Sequence, residues 1–202
     1  MTRPASDPPD LPGAVAGYEA VTADLRSLLA SWPAPDAAQE RLRRAYAAHL
    51  EAHPDAAAKG GPPAHMTASC LVVDAVGERV LLTLHRKVGR WLQMGGHLEQ
   101  GDTTVAGAAL REAREESGLS ALRLLPGPVQ LDRHALGSGF SRCREHLDLR
   151  WVALAPVGAR PEISAESEDV AWWPVDALPE DAEPAVRALV ATAVRLAATA
   201  PA

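Results

Sequence analysis

Apolar positions change period along the chain, and the changes mark out elements before any chemistry is considered. From Tyr18 to about Trp32, YEAVTADLRSLLASW repeats its apolar residues at helical spacing. Pro33-Ala34-Pro35 breaks that run, and Asp36 then caps a second predicted helix reaching to about His53. Lys59-Gly60-Gly61-Pro62-Pro63 reads as a linker. Beyond it the spacing shortens. MTASCLVVD and RVLLTLH flank the turn residues 74–78 and predict a hairpin that begins at Met66. Further strands are expected near 121–135, 145–155 and 169–174, with a last helix from about Asp181 to about Ala198. Strands interleaved with helices predict an α/β protein with a mixed sheet held between helical layers.

Within this frame, residues 95–119 form a glycine-rich turn that feeds one more helix. Ala106, Ala109, Leu110 and Ala113 make the stripe expected to anchor that helix, and Asp102 is placed to cap it ahead of Thr103 and Thr104. On the other side lie Glu112, Glu115 and Glu116. At about 100° per residue, Glu115 and Glu116 fall about 60° and 40° to either side of Glu112. Carboxylates crowded in this way repel one another unless a cation sits among them. Hard oxygen donors beside small glycines suit Mg²⁺ or Mn²⁺, and hence phosphate chemistry.

In strand HLDLRWVA, a period of two sends Leu147, Leu149 and Trp151 one way and His146, Asp148 and Arg150 the other. A buried polar row of this kind is either an internal ion-pair network or the lining of a substrate cavity. In the second case Arg150 would hold phosphate, Asp148 metal or a sugar hydroxyl, and His146 would join the substrate-binding set. The basic run His85–Arg90 offers Arg86 and Arg90 as phosphate donors, and reads equally as a hairpin end.

Composition narrows the picture. The 202 residues, 47% hydrophobic, suffice for one core with a helical appendage. A net charge of −6 argues against general nucleic-acid binding. No long apolar span predicts a membrane helix, and the acidic, proline-rich start MTRPASDPPDLPG lacks the apolar stretch of a signal peptide. The cytoplasm is the expected compartment. Cys70 and Cys143 are far apart and in no ligand spacing, so neither a disulfide nor a zinc site is expected, and Cys70 reads as a buried small hydrophobe.

The stretch Gly96…Asp102…Arg111-Glu112-Ala113-Arg114-Glu115-Glu116-Ser117-Gly118-Leu119 resembles the Nudix box, the signature of hydrolases that cleave a nucleoside diphosphate linked to another group. It departs from the pattern in having Asp102 for a glutamate and one extra residue before Arg111. The resemblance implies the Nudix α/β/α sandwich over residues 63–202. Ahead of it, periodicity gives an N-terminal helical extension and linker at 14–62, and the Pro- and Asp-rich residues 1–13 read as a disordered tail. The resemblance also implies catalysis by Glu112, Glu115, Glu116 and Arg111. The metal would be held by the Gly96 carbonyl with Glu112, Glu115 and Glu116, and Glu112 would serve as a further ligand or as the base. Mg²⁺ or Mn²⁺ is the implied cofactor and a small-molecule diphosphate the implied substrate. A homodimer would be usual for this fold, and neither nucleic acid nor membrane is an expected partner.

Isopentenyl-diphosphate isomerases share the fold, and their metal-binding histidines resemble His65 and His97. That likeness implies a second metal site of His65, His97 and Asp148, with Glu145 or His146 nearby. Their catalytic cysteine would fall at Gly95, which disfavours an isomerase. A non-catalytic nucleotide sensor is the other alternative, disfavoured because all three box glutamates are present.

Overall fold

In the computed structural model, residues 16–137, 142–165 and 167–199 are described. The tail expected at 1–13 lies outside them. Two helices come first, α1 (Glu19–Ser31) and α2 (Ala37–Ala52). Asp36 caps α2 as its sequence predicts, accepting from the amides of Ala38 and Gln39 at 2.8 Å each. Then follow β1 (Ala64–Val73), β2 (Arg79–His85), β3 (Arg90–Leu92), β4 (Met94–His97), α3 (Val105–Ser117), β5 (Arg123–Leu124), β6 (Gln130–Ala135), β7 (Glu145–Leu154), β8 (Ser167–Pro174) and α4 (Pro184–Thr199). The single strand expected over 121–135 is two strands. Pro126-Gly127-Pro128 interrupts it, with Gly127 at φ 67°, because proline cannot supply ladder donors.

The strands form one mixed sheet. β1 runs parallel to β7 along its whole length, from Ala64↔Glu145 to Val73↔Leu154. The other pairings are antiparallel: β4 and β2 share the opposite edge of β1, β8 and β3 flank β2, and β6 and β5 flank β7. Both faces of the central pair are buried, which is why β1 reads as a nearly continuous apolar run.

On one face Met66, Ala68, Cys70 and Val72 of β1 join Leu147, Leu149 and Trp151 of β7. They pack against Val21, Leu25 and Leu29 of α1, Tyr46 and Leu50 of α2, and Ala109 and Ala113 of α3. The opposite face divides in two. Leu71, Val73 and Val152 meet Val186, Leu189 and Val190 of α4, whereas His65, Thr67, Ser69, Asp148 and Arg150 are buried polar residues. The α3 stripe is shifted from its expected place. Val105, Ala108, Ala109 and Ala113 are fully buried, and Ala106 and Leu110 only half-buried.

The N-terminal helices belong to this core and clamp its edge. Gln39 mimics a neighbouring strand, accepting from the Leu131 amide at 2.6 Å and donating to the Leu131 carbonyl at 3.0 Å. The Tyr46 hydroxyl donates to the Asp132 carbonyl at 2.8 Å, and Trp32 Nε1 to the Pro128 carbonyl at 2.7 Å. Replacing Gln39 with Ala strips both bonds from β6, and should lower unfolding stability by about 1–2 kcal/mol with the urea m-value unchanged. Equilibrium urea denaturation followed by circular dichroism measures both quantities.

Candidate active site

α3 is positioned from both ends. At its start Thr104, not Asp102, is the cap: its hydroxyl accepts from the Gly107 amide at 3.0 Å. Asp24 of α1 adds a second acceptor, taking the Val105 amide at 2.8 Å. At the far end Gly118 closes the helix at φ 70°, the left-handed conformation that a β-carbon disfavours. Capping the helix two residues after Asp102 frees that carboxylate for another partner, Arg111.

Arg111 organises the acidic side of the helix. It donates to Asp102 Oδ1 at 3.3 Å and Oδ2 at 3.1 Å, to Glu112 Oε1 at 2.9 Å, to Glu115 Oε2 at 3.1 Å and to the His97 carbonyl at 3.1 Å. Burial works against its charge, but Asp102 and Glu112 outweigh burial and hold its pKa above the ordinary value. One guanidinium thereby fixes the turn, the end of β4 and two box carboxylates together. Glu116 is buried at 5% exposure.

β4 brings Gly96 directly over Glu112. A β-carbon built on Gly96 would lie 2.7 Å from Glu112 Oε1, so a glycine there lets backbone and carboxylate approach. Burial, with the charges of Glu115 and Glu99 adding to it, outweighs Arg111 and pushes Glu112 up to about 7. Carboxylates gathered beside a glycine backbone match the oxygen-donor set of Mg²⁺ or Mn²⁺. Gly95 has a different constraint. Its β-carbon would collide with Ser69 Cβ and lie 2.8 Å from Ser69 Cα, so a catalytic thiol of the isomerase kind has no room there.

The polar row of β7 resolves into a network. Arg150, 4% exposed, donates to Asp148 Oδ2 at 2.9 Å, Gln130 Oε1 at 3.1 Å and Asp132 Oδ2 at 2.7 Å. Asp148 also accepts from Thr67 Oγ1 at 3.0 Å and Ser69 Oγ at 2.6 Å. The buried guanidinium thus meets two internal carboxylates and one amide. In the basic run, Arg90 pairs with Glu183 at 2.7 Å, and Arg86 donates to the Ser167 carbonyl at 3.0 Å. Glu145 pairs with Arg133 at 2.6 Å.

The histidines expected near a second metal do converge, but with a different fourth member. His65, His97 and His146 stand with Cys143, their candidate ligand atoms all within 4.8 Å of one another. Asp148 is held by its own partners two positions further along β7. Cys143, expected in no ligand spacing, stands three residues before His146 (Cys-x-x-His), and that spacing is the signal the sequence carries. Cys70 is a fully buried free thiol, as its apolar surroundings imply.

No protein of curated function matches the chain in sequence. Solved structures resemble its fold. A NUDIX-family hydrolase from Clostridium perfringens is 23% identical, with a TM-score of 0.51 over 66% of this chain and 96% of the other. The dihydroneopterin triphosphate pyrophosphohydrolase of E. coli is 17% identical, with a TM-score of 0.53 over 64% and 94%. The MutT protein of Methanosarcina mazei Go1 is 19% identical, with a TM-score of 0.50 over 66% and 95%. The NUDIX domain model matches residues 63–193, the span that carries the sheet, the box helix and most of α4. With that match over most of its length, and with the box turn and helix assembled around Arg111, the chain belongs to the NUDIX domain family.

Proposed function

We propose that the protein is a divalent-metal-dependent pyrophosphohydrolase that cleaves a phosphoanhydride bond in a nucleoside diphosphate-linked or related small diphosphate. The observation that carries this reading is the box itself. Arg111 binds both Glu112 and Glu115, Gly96 abuts Glu112, and Glu116 is buried one turn on from Glu112.

Glu115, Glu116 and the Gly96 carbonyl would hold Mg²⁺ or Mn²⁺, with Glu112 as a further ligand or as the base. When bound, the ion would neutralise phosphate charge and make a water more acidic. Arg111 keeps Glu112 and Glu115 aimed at one place, a positioning task. Water attack forms one P–O bond at the reacting phosphorus and breaks the bridging P–O bond. The proton released goes to a carboxylate, and Glu112, whose burial raises its proton affinity, suits that role.

Phosphate release from a panel of nucleoside triphosphates, dinucleoside polyphosphates and nucleotide sugars tests the proposal. Mg²⁺ and Mn²⁺ are supplied in parallel, with pyrophosphatase and phosphatase as coupling enzymes. Turnover of one compound that stops on chelation and returns with metal is the expected result. Tight binding of a panel member without any cleavage would replace the hydrolase by a sensor.

A further inference from the structure

Three strands and one approach segment converge on a second cluster, on the sheet face opposite α3. His65 lies on β1, His146 is its parallel partner on β7, and His97 on β4 is paired with Thr67. The rings meet at centroid separations of 5.0 Å (His65–His97), 5.2 Å (His65–His146) and 5.2 Å (His97–His146). Cys143, 9% exposed, enters three residues before His146 and sets its Sγ 3.9 Å from His97 Nε2.

The hydrogen bonding of these rings is incomplete in a directed way. His65 Nδ1 is 3.1 Å from the Pro62 carbonyl, an acceptor only, so that nitrogen carries the proton and Nε2 presents a lone pair. His65 Nε2 and His146 Nε2 are both buried without a hydrogen-bond partner. Two orphaned imidazole nitrogens beside a third imidazole and a thiol are costly to bury unless something electron-poor joins them. The neutral imidazole that the Pro62 contact fixes at His65 is the ligating form.

We propose that His65, His97, His146 and Cys143 form a metal site of borderline-soft character, selective for Zn²⁺ over the Mg²⁺ or Mn²⁺ of the box. Nitrogen and sulfur donors in a set of four favour tetrahedral zinc. Such an ion holds its ligand atoms about 3.3–3.8 Å apart, within reach of groups that already lie within 4.8 Å. The Pro62 carbonyl then orients His65 as an outer partner orients a ligating ring.

The ion would pin β4 to β1 and β7. The same His97 whose ring ligates gives its carbonyl to Arg111, and Gly96 beside it abuts Glu112. The site therefore braces the strand that carries the box glycine, and it stands independently of whether the box cleaves or senses its ligand.

Cobalt provides the test. The full chain is stripped with chelator, Mg²⁺ is added in excess to fill the box, and Co²⁺ is titrated in. One equivalent should give intense visible bands of tetrahedral cobalt and a near-ultraviolet thiolate-to-cobalt transition. Zinc should bleach both. Cys143→Ser, nearly isosteric, should abolish the thiolate transition and weaken Co²⁺ binding about 100-fold or more. His65→Gln should weaken it similarly, with circular dichroism confirming that both variants are folded. Weak octahedral absorption in the native chain, or spectra unchanged in both variants, would overturn the proposal.

Discussion

Glu116→Gln should reduce kcat at least ~10²-fold while leaving the melting temperature level with the native protein or above it. The two halves of this expectation have one cause. Glu116 is a buried carboxylate on the last turn of α3, where the helix dipole disfavours negative charge. Gln keeps the shape and removes the charge, so the packing of the helix end is kept. What disappears is one of the anionic donors that make the box a divalent-metal site, and a metal ligand acts most strongly when the transition state gathers charge. Steady-state kinetics on the compound found by the panel, with a thermal melt on the same sample, decides the matter. Near-native turnover would remove Glu116 from the metal site. A collapsed melt with parallel loss of activity would make it a structural residue.

The elements of the fold were readable where a local rule governs them. Asp36 caps α2 because Pro33 and Pro35 stop the preceding helix and an aspartate then meets free amides. The alternation in β7 separates Leu147, Leu149 and Trp151 from His146, Asp148 and Arg150, and the sheet places the two sets on opposite faces, with all but the half-buried His146 fully buried. Local rules say less where the outcome depends on distant partners. Asp102 looks like the cap of α3, yet it is taken by Arg111, nine residues on, and Thr104 caps instead. Arg150 looks like a phosphate ligand, but Gln130 and Asp132 on β6 and Asp148 beside it use its donors. Cys143 meets His65 and His97 only because β1 and β7 are parallel and in register, which no local spacing states. The attachment of α1 and α2 was open for the same reason. Asp24 and Gln39 declare their roles only when Val105 and Leu131 are brought beside them.

The two adjacent glycines of β4 should fail in opposite ways when each is replaced by alanine. At Gly96 the added methyl meets only the tip of Glu112, with Oε1 at 2.7 Å and Oε2 at 2.8 Å. A carboxylate end can swing aside by rotating its own side chain, so Gly96→Ala should melt within a few degrees of the native protein. The swing takes Glu112 off Arg111 and out of the space it shares with Glu115, and a displacement of about 1 Å in a positioned group can cost on the order of 10²-fold in kcat. At Gly95 the methyl meets Ser69, including its Cα at 2.8 Å, and the Ala68 carbonyl at 3.0 Å. Those atoms are backbone of β1, locked between β4 and β7, and they cannot yield without breaking ladder bonds. Gly95→Ala should therefore destabilise the fold by about 3 kcal/mol, at the upper end of overpacking costs. Urea unfolding of both variants beside their kinetics separates the two effects. Should Gly96→Ala unfold as easily as Gly95→Ala, the close approach to Glu112 would be a matter of packing, and the division of labour between the two glycines would be lost. An inactive, fully stable Gly96→Ala would instead place Glu112 in the reaction by a route that alters neither its charge nor any metal-binding atom.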